Sequence, residues 1–361
     1  MPRTFILACD GGGIRGYITA SVLQKLSAAT SGNLLARVGL NAGTSTGSFI
    51  SLALAAGVSI DTIQTQYQRT NAAPIFTPNP NLGSADLSTP ALEALRAQAG
   101  QLGGIWSDLL KYFALFTNAT YTNTGVQQVA QRLLGASATL SDLRPVLINT
   151  LQLDNAAPTP AWTPLSIGNA ASSAYRGMLA WEAAMCSGAA PIYFPPYSPQ
   201  SAALGFCADG GLFANNPSLA AIASALAQGA ALTDLVVLSL DTGTVADSMP
   251  ASVIAGWGGA LDMGPFQWLF PAAQTTGAAT TPRFPLLSAL MDAASSAVTQ
   301  QAAMLLGARY FRVTVPMTGA VALDDTSQAA YDTMDASLAA YFASPAFTDA
   351  TAWLQRNVLV E

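Results

Sequence analysis

The chain of 361 residues contains no histidine. Every role that rests on an imidazole is thereby excluded: the Ser-His-Asp triad, histidine acid and base chemistry, and histidine metal ligation. Charge is scarce as well, at 9% Asp, Glu, Lys and Arg, against about a quarter in ordinary soluble domains. Lysine is reduced to Lys25 and Lys111, and the net charge is -6. No basic stripe exists to follow a phosphate backbone, so nucleic acid is not expected as a partner, and electrostatic recruitment to anionic lipid has no support. Cysteine is limited to Cys9, Cys186 and Cys207, widely spaced in the chain and without C-x-x-C spacing. They read as buried, reduced thiols, which suits a cytoplasmic compartment.

Long uninterrupted apolar runs are missing too. Phe5 to Cys9 is too short for the apolar region of a signal peptide and runs straight into Asp10 and glycines. The stretches 212–233 and 263–282 are interrupted by Asn-Asn-Pro, glycine, proline and polar residues, so no membrane span is expected. The expected location is cytoplasmic, with any membrane contact peripheral, apolar and transient. What the chain has in abundance is apolar residues, at 51% of the total. Two explanations stand side by side: a compositional bias toward alanine, or a surface that meets lipid.

Element order follows from the hydrophobic pattern. Thr4 to Cys9 reads as a strand, Asp10-Gly11-Gly12-Gly13 as a loop, and Tyr17 to Ala29 as a helix with Ile18, Val22, Leu23 and Leu26 on one face. Arg37 to Ala42 reads as a second strand running into Gly43-Thr44-Ser45-Thr46-Gly47, followed by a buried helix from Ser48 to Ala56. Further strands are expected at Val146 to Leu153, Pro164 to Gly168, Phe206 to Asp209 and Leu235 to Leu240, and helices at Ile60 to Arg69, Val126 to Leu134, Met178 to Cys186 and Pro217 to Gln228. This alternation predicts a three-layer α/β/α fold around a mostly parallel central sheet. One domain over 1–361 is expected, with a helical cap region around 60–135 that includes helices at Ala91 to Gln98 and Ile105 to Phe116. Asn71 to Pro90 and Thr242 to Thr281 read as linker-like.

The pentapeptide around Ser45 is the G-x-S-x-G pattern that sets a nucleophilic serine on a sharp strand-to-helix turn. A Gly-Ser-Thr cluster at a helix start is also an ordinary N-cap, so the motif alone leaves both meanings open. With histidine absent, the base for such a serine falls to a carboxylate. Asp10, Asp209 and Asp241 all end strands, and Asp209 stands out because Gly210 and Gly211 leave room around it. Asp10 is expected to brace the glycine loop and Asp241 a neighbouring turn. Gly11-Gly12-Gly13-Ile14-Arg15-Gly16 contains a literal G-x-G-x-x-G, yet the next strand ends in Asn41-Ala42-Gly43 rather than in the acidic residue that would hold a ribose. The same glycines can aim amides at one point as an oxyanion hole, with Arg15 adding positive charge.

Taken together, Asp10-Gly-Gly-Gly-Ile-Arg15-Gly, Gly43-Thr-Ser45-Thr-Gly47 and Asp209-Gly-Gly-Leu-Phe-Ala-Asn-Asn-Pro217 resemble, in order, the three signature motifs of the patatin-like phospholipases. The resemblance continues through Trp181 to Phe194, through Val237 to Gly243 and weakly to Tyr310-Phe-Arg-Val. It implies a lipid acyl hydrolase of phospholipase A or lysophospholipase type. Ser45 matches the nucleophile, Asp209 the base, and Gly11, Gly12, Gly13 and Arg15 the oxyanion loop. A Ser-Asp dyad needs no histidine, no metal and no cofactor. The expected partners are phospholipid or another glycerolipid, a membrane surface met transiently, and an unidentified activator. The competing reading is a catalytically silent or activator-dependent, lipid- or nucleotide-responsive binding or signalling module on the same fold. Three positions depart from the family pattern: Ser48 where a second glycine is common, Val38 to Asn41 where an acidic residue is common, and Asp241 where a glycine is expected.

Overall fold

The computed structural model describes residues 3–80, 119–154, 161–245, 247–264, 267–268, 274–276, 279–282 and 284–359. The strands are β1 (Thr4–Cys9), β2 (Val38–Thr44), β3 (Val146–Gln152), β4 (Thr163–Gly168), β5 (Cys207–Asp209) and β6 (Leu235–Leu240). A separate hairpin pairs β7 (Gln274–Thr276) with β8 (Ala279–Thr281), and β9 (Tyr310–Val313) follows. The main sheet runs β4-β3-β2-β1-β6-β9, with β5 alongside β3. The pairs β1–β2, β1–β6, β2–β3 and β6–β9 are parallel, whereas β4 and β5 join β3 antiparallel. The expected mostly parallel sheet is therefore present.

The central strands read as continuous apolar runs because both of their faces are covered. β6, Leu-Val-Val-Leu-Ser-Leu, is buried at every residue. On one face Phe5, Leu7 and Cys9 of β1 pack with α1 (Gly16–Ala29), α2 (Thr46–Ala55), α5 (Ala180–Ser187) and α8 (Gln328–Phe342). On the other, Ile6 and Ala8 pack with Ala221 and Ile222 of α6 (Ser218–Ala227) and with Ala302 and Leu306 of α7 (Pro285–Leu306). The alternation of side chains along β1 thus divides the core into two layers. The remaining longer helices are α3 (Ile60–Gln66), α4 (Thr124–Leu134) and α9 (Pro345–Leu354).

The first and last parts of the expected cap region are α3 and α4, and α3 stops at Gln66, short of Arg69. The helices expected at Ala91 to Gln98 and Ile105 to Phe116 lie outside the described residues. The stretch from Thr242 to Thr281 is not only linker, for it holds a helix at Ala251–Gly256 and the β7–β8 hairpin. Among the described residues no helix is long and apolar enough to cross a membrane.

One feature of the register fixes the site. β2 pairs with the first half of β3, up to Thr44 opposite Asn149, and β5 pairs with the second half, beginning with Asp209 opposite Thr150. β4 occupies the other edge of β3 along the same stretch. β2 and β5 therefore meet end to end on a single edge. Ser45, which leaves β2, and Asp209, which closes β5, are brought together there from 164 positions apart in sequence.

Candidate active site

Ser45 sits alone in the turn between β2 and α2, with φ 52° and ψ -126°. A side-chain-bearing residue rarely adopts positive φ, and the strain persists only where the surroundings enforce it. It occupies the N-cap position of α2, yet its side chain caps nothing. The ordinary N-cap explanation therefore does not hold for Ser45. Two serine hydroxyls and one amide grip its backbone instead. Its N–H donates to Ser187 Oγ at 2.9 Å, and its carbonyl accepts from the Ser48 N–H at 2.9 Å and the Ser48 hydroxyl at 2.6 Å. Ser48, at the position where a second glycine is common, thus replaces open space with a hydrogen bond. Gly47 is required by sterics: a Cβ there would stand 2.1 Å from the Cys9 carbonyl oxygen.

Asp209 is 3% exposed. Burial pushes its carboxyl up to about 6, against the opposing pull of the Ser45 hydroxyl and of the Gly211 N–H, which donates to Oδ1 at 2.7 Å. A buried carboxylate resists losing its proton because the charged form is poorly solvated. The result is a group still ionised at neutral pH but more basic than an exposed aspartate.

The glycine loop differs in detail from expectation. Gly11 donates its N–H to the Asn215 carbonyl at 3.2 Å, Ile14 to Leu323 at 2.8 Å and Arg15 to Gly12 at 3.2 Å. Gly11 is therefore not a free donor, because its amide is consumed in tying the loop to the segment after Asp209. Gly12 and Gly13 line the same cavity as Ser45 and Asp209, and Gly11 does not. Arg15 is absent from that lining as well. Its Nη1 lies 3.5 Å from the Gly243 carbonyl and its charge acts on Asp247 and Asp292.

The other two aspartates are engaged elsewhere. Asp10 does not brace the glycine loop through its side chain. Its carboxylate takes a bidentate pair from Arg312, at 2.8 and 2.6 Å, and Arg312 also donates to Ser239 Oγ at 2.7 Å. Asp241 does brace a turn, accepting from the Gly243 N–H at 3.0 Å and the Thr244 hydroxyl at 2.8 Å. Asp209 is thus the strand-end aspartate that opens onto the cavity with Ser45. The rest of that cavity is mostly apolar, with Phe49, Phe76, Val129, Phe194 and Met291 among its walls beside Thr46, Gln66 and Tyr67. Among the described residues no cluster of three or more Cys, Asp or Glu side chains is arranged to hold a metal ion. All three cysteines are free and buried, but Cys186 and Cys207, far apart in sequence, meet through their side chains.

Ser187, Asn149, Asn215 and Arg312 are site neighbours that motif reading passed over. Ser187 lies inside the block from Trp181 to Phe194 that carries part of the family resemblance, which was the available signal. For Asn149 the signal was only a polar residue inside a strand buried at every position, whereas Arg312 lies in Tyr310-Phe-Arg-Val, where the family resemblance is weak.

A strained serine at a strand-to-helix turn, a buried aspartate beside it and a largely apolar cavity thus stand together on a three-layer α/β fold. The model of the patatin-like phospholipases matches residues 7–222, and the chain belongs to that family. It is 27% identical over 230 residues to a cGAMP-activated phospholipase of Escherichia coli, covering 60% of this chain and 54% of that protein. It is 29% identical over 223 residues to the 85/88 kDa calcium-independent phospholipase A2 of Rattus norvegicus, covering 60% of this chain and 23% of that protein. A cGAMP-activated phospholipase of Pseudomonas aeruginosa is 25% identical over 315 residues, covering 87% and 78%. The chain thus spans about half of the first relative and less than a quarter of the second. Among solved structures, VipD from Legionella pneumophila aligns over 94% of this chain and 67% of its own at 14% identity, with a TM-score of 0.40.

Proposed function

We propose that the chain is a carboxylic ester hydrolase that cleaves fatty-acyl esters of phospholipids or related glycerolipids, with residues 1–361 serving as a single catalytic domain. The observation that carries the reading is the meeting of β2 and β5 on one edge of β3, which sets Ser45 beside a buried Asp209. Asp209 takes the proton of Ser45 as Oγ attacks the acyl carbonyl carbon, and the tetrahedral oxyanion is held by the N–H groups of Gly12 and Gly13. Asp209 then passes that proton to the departing alcohol, leaving an acyl group on Ser45. Water attacks this ester, Asp209 takes the water proton, and its return to Ser45 Oγ releases the fatty acid. The apolar cavity receives the acyl chain.

Arg15 has no direct part in this scheme, since its guanidinium is turned to the Gly243 carbonyl. The exposed Leu286 and Leu290 lie on α7, next to Leu287 and Met291 of the cavity wall. They support a transient apolar contact with a lipid surface.

The test is fatty-acid release from mixed phospholipid vesicles by the wild type beside Ser45→Ala and Asp209→Ala. Release by the wild type and by neither variant supports the dyad. Two relatives are named for activation by cGAMP, so the assay is run with and without a cyclic dinucleotide. Activity only in its presence means an activator requirement. Failure of a fluorophosphonate probe to label Ser45 under both conditions favours the binding-module reading.

A further inference from the structure

The end of α5 and the two residues after it touch both halves of the candidate dyad. Ser187 Oγ accepts the Ser45 N–H at 2.9 Å and donates its own proton to the Asn149 carbonyl at 2.6 Å. Ser187 is fully buried. A hydroxyl has one proton to give and two lone pairs to offer, so this pattern uses it as a one-way relay from the nucleophile's backbone to β3. Asn149 is the residue opposite Thr44, and Thr150 after it is opposite Asp209. The Thr150 hydroxyl lies 2.9 Å from the carbonyls of both Cys186 and Ala208, and the Asp209 N–H donates to the Ala189 carbonyl at 2.9 Å. Four consecutive residues, Cys186 to Ala189, thus include three that bond to the nucleophile turn, to β3 or to the strand of the base.

We infer that Ser187 is a positioning residue, which holds the strained Ser45 turn at a fixed offset from Asp209 by bonding it to β3, the strand that also carries the aspartate's register. The inference rests on the reading of Ser45 as nucleophile and adds to it a group that never touches substrate. A turn at positive φ relaxes when one of its anchors is removed. Loss of the Ser187 hydroxyl takes the acceptor from the buried Ser45 N–H and one donor from the Asn149 carbonyl. A shift of about 1 Å between reacting groups is enough to cost about a hundredfold in rate.

The experiment compares Ser187→Ala with Ser166→Ala. Ser166 also bonds Asn149, but at its side-chain oxygen, 2.9 Å away on the β4 side, and makes no bond to Ser45 itself. Ser187→Cys is run beside them, because it fills the serine volume with a poor acceptor and keeps the comparison intact should the alanine variant fail to fold. Hydrolysis of a soluble short-chain nitrophenyl ester and the rate of fluorophosphonate labelling at Ser45 are measured on protein shown folded by circular dichroism. The expected result is a fall in kcat of about ten- to a hundredfold with KM unchanged, and slower labelling, for the Ser187 variants. Ser166→Ala keeps wild-type rates. Wild-type kcat and labelling in a folded Ser187 variant overturn the inference, as does an equal loss in Ser166→Ala. Absence of labelling in the wild type overturns instead the assignment of Ser45 as nucleophile, so the two failures are distinguishable.

Discussion

Replacing Asp209 with asparagine should make the protein more stable while abolishing its activity. The folded-state pKa of about 6 stands well above the ordinary carboxyl value of 3.8. Because it is raised, the folded state binds more protons than the unfolded chain between those two values, so stability falls as pH rises through that window. Lifting the carboxyl from 3.8 to about 6 makes the penalty about 3 kcal/mol once the pH exceeds 6. Asparagine keeps an oxygen to accept the Gly211 N–H and an amide that can face Ser45, but it carries no charge to desolvate. Asp209→Asn should therefore be about 3 kcal/mol more stable than the wild type at pH 8, with the advantage shrinking below pH 6 and vanishing near pH 3.5. Denaturant unfolding at a series of pH values measures this directly. An asparagine variant no more stable at pH 8 than at pH 4, relative to wild type, refutes the account of a desolvated base.

The same shift predicts that kcat/KM on a soluble ester falls tenfold per pH unit below about pH 6, and a flat profile between pH 5 and 8 counts against it. A Cβ on Gly12 would stand 2.1 Å from Thr242 Oγ1. Gly12→Ala should displace the loop and cost about a hundred- to a thousandfold in kcat, with partial recovery when Thr242→Gly is added; no recovery sinks the steric explanation. Arg312→Ala leaves the Asp10 charge buried without its partner and should destabilise by about 3–5 kcal/mol in denaturant unfolding at pH 7. Val129→Trp, in the cavity wall, should cut hydrolysis of long-chain esters by at least tenfold relative to butyrate esters. An unchanged ratio means the acyl chain lies elsewhere.

The strands β1 and β6 were legible to within a residue because strands buried on both faces are written as unbroken apolar runs. The turn at Ser45 and the strand end at Asp209 were legible because each sits in a motif shaped by backbone constraints. Other features were not, for reasons of distance and context. The α7 helix spans Pro285–Leu306, yet its apolar residues follow no single stripe, since its first turns meet the cavity and its last turns meet the sheet. The Asp10–Arg312 pair joins residues 302 positions apart, and nothing local marks the arginine as belonging to the glycine loop's neighbour. The motif also overstated the oxyanion loop. A run of three glycines says the backbone comes close to something, but only the fold reveals that Gly11 spends its amide on Asn215.

The absence of histidine becomes intelligible when the base is considered as a pKa and not as a residue type. A general base works best when its pKa lies near the operating pH, and an imidazole has that property in water, at about 6.5. An aspartate reaches a similar value here by burial alone, at about 6. It then needs no third side chain to orient it, because a carboxylate has no tautomer to choose. What it needs is a rigid backbone, since a short side chain at the end of a three-residue strand can reach the nucleophile from only one place. β3 supplies that by carrying Thr44 and Asp209 opposite adjacent residues. Under the proposed mechanism, the triad's orienting role passes from a side chain to the register of a sheet. Mutations that slip that register by one residue should therefore silence the site as completely as loss of Ser45 itself, even with every side chain in the cavity retained.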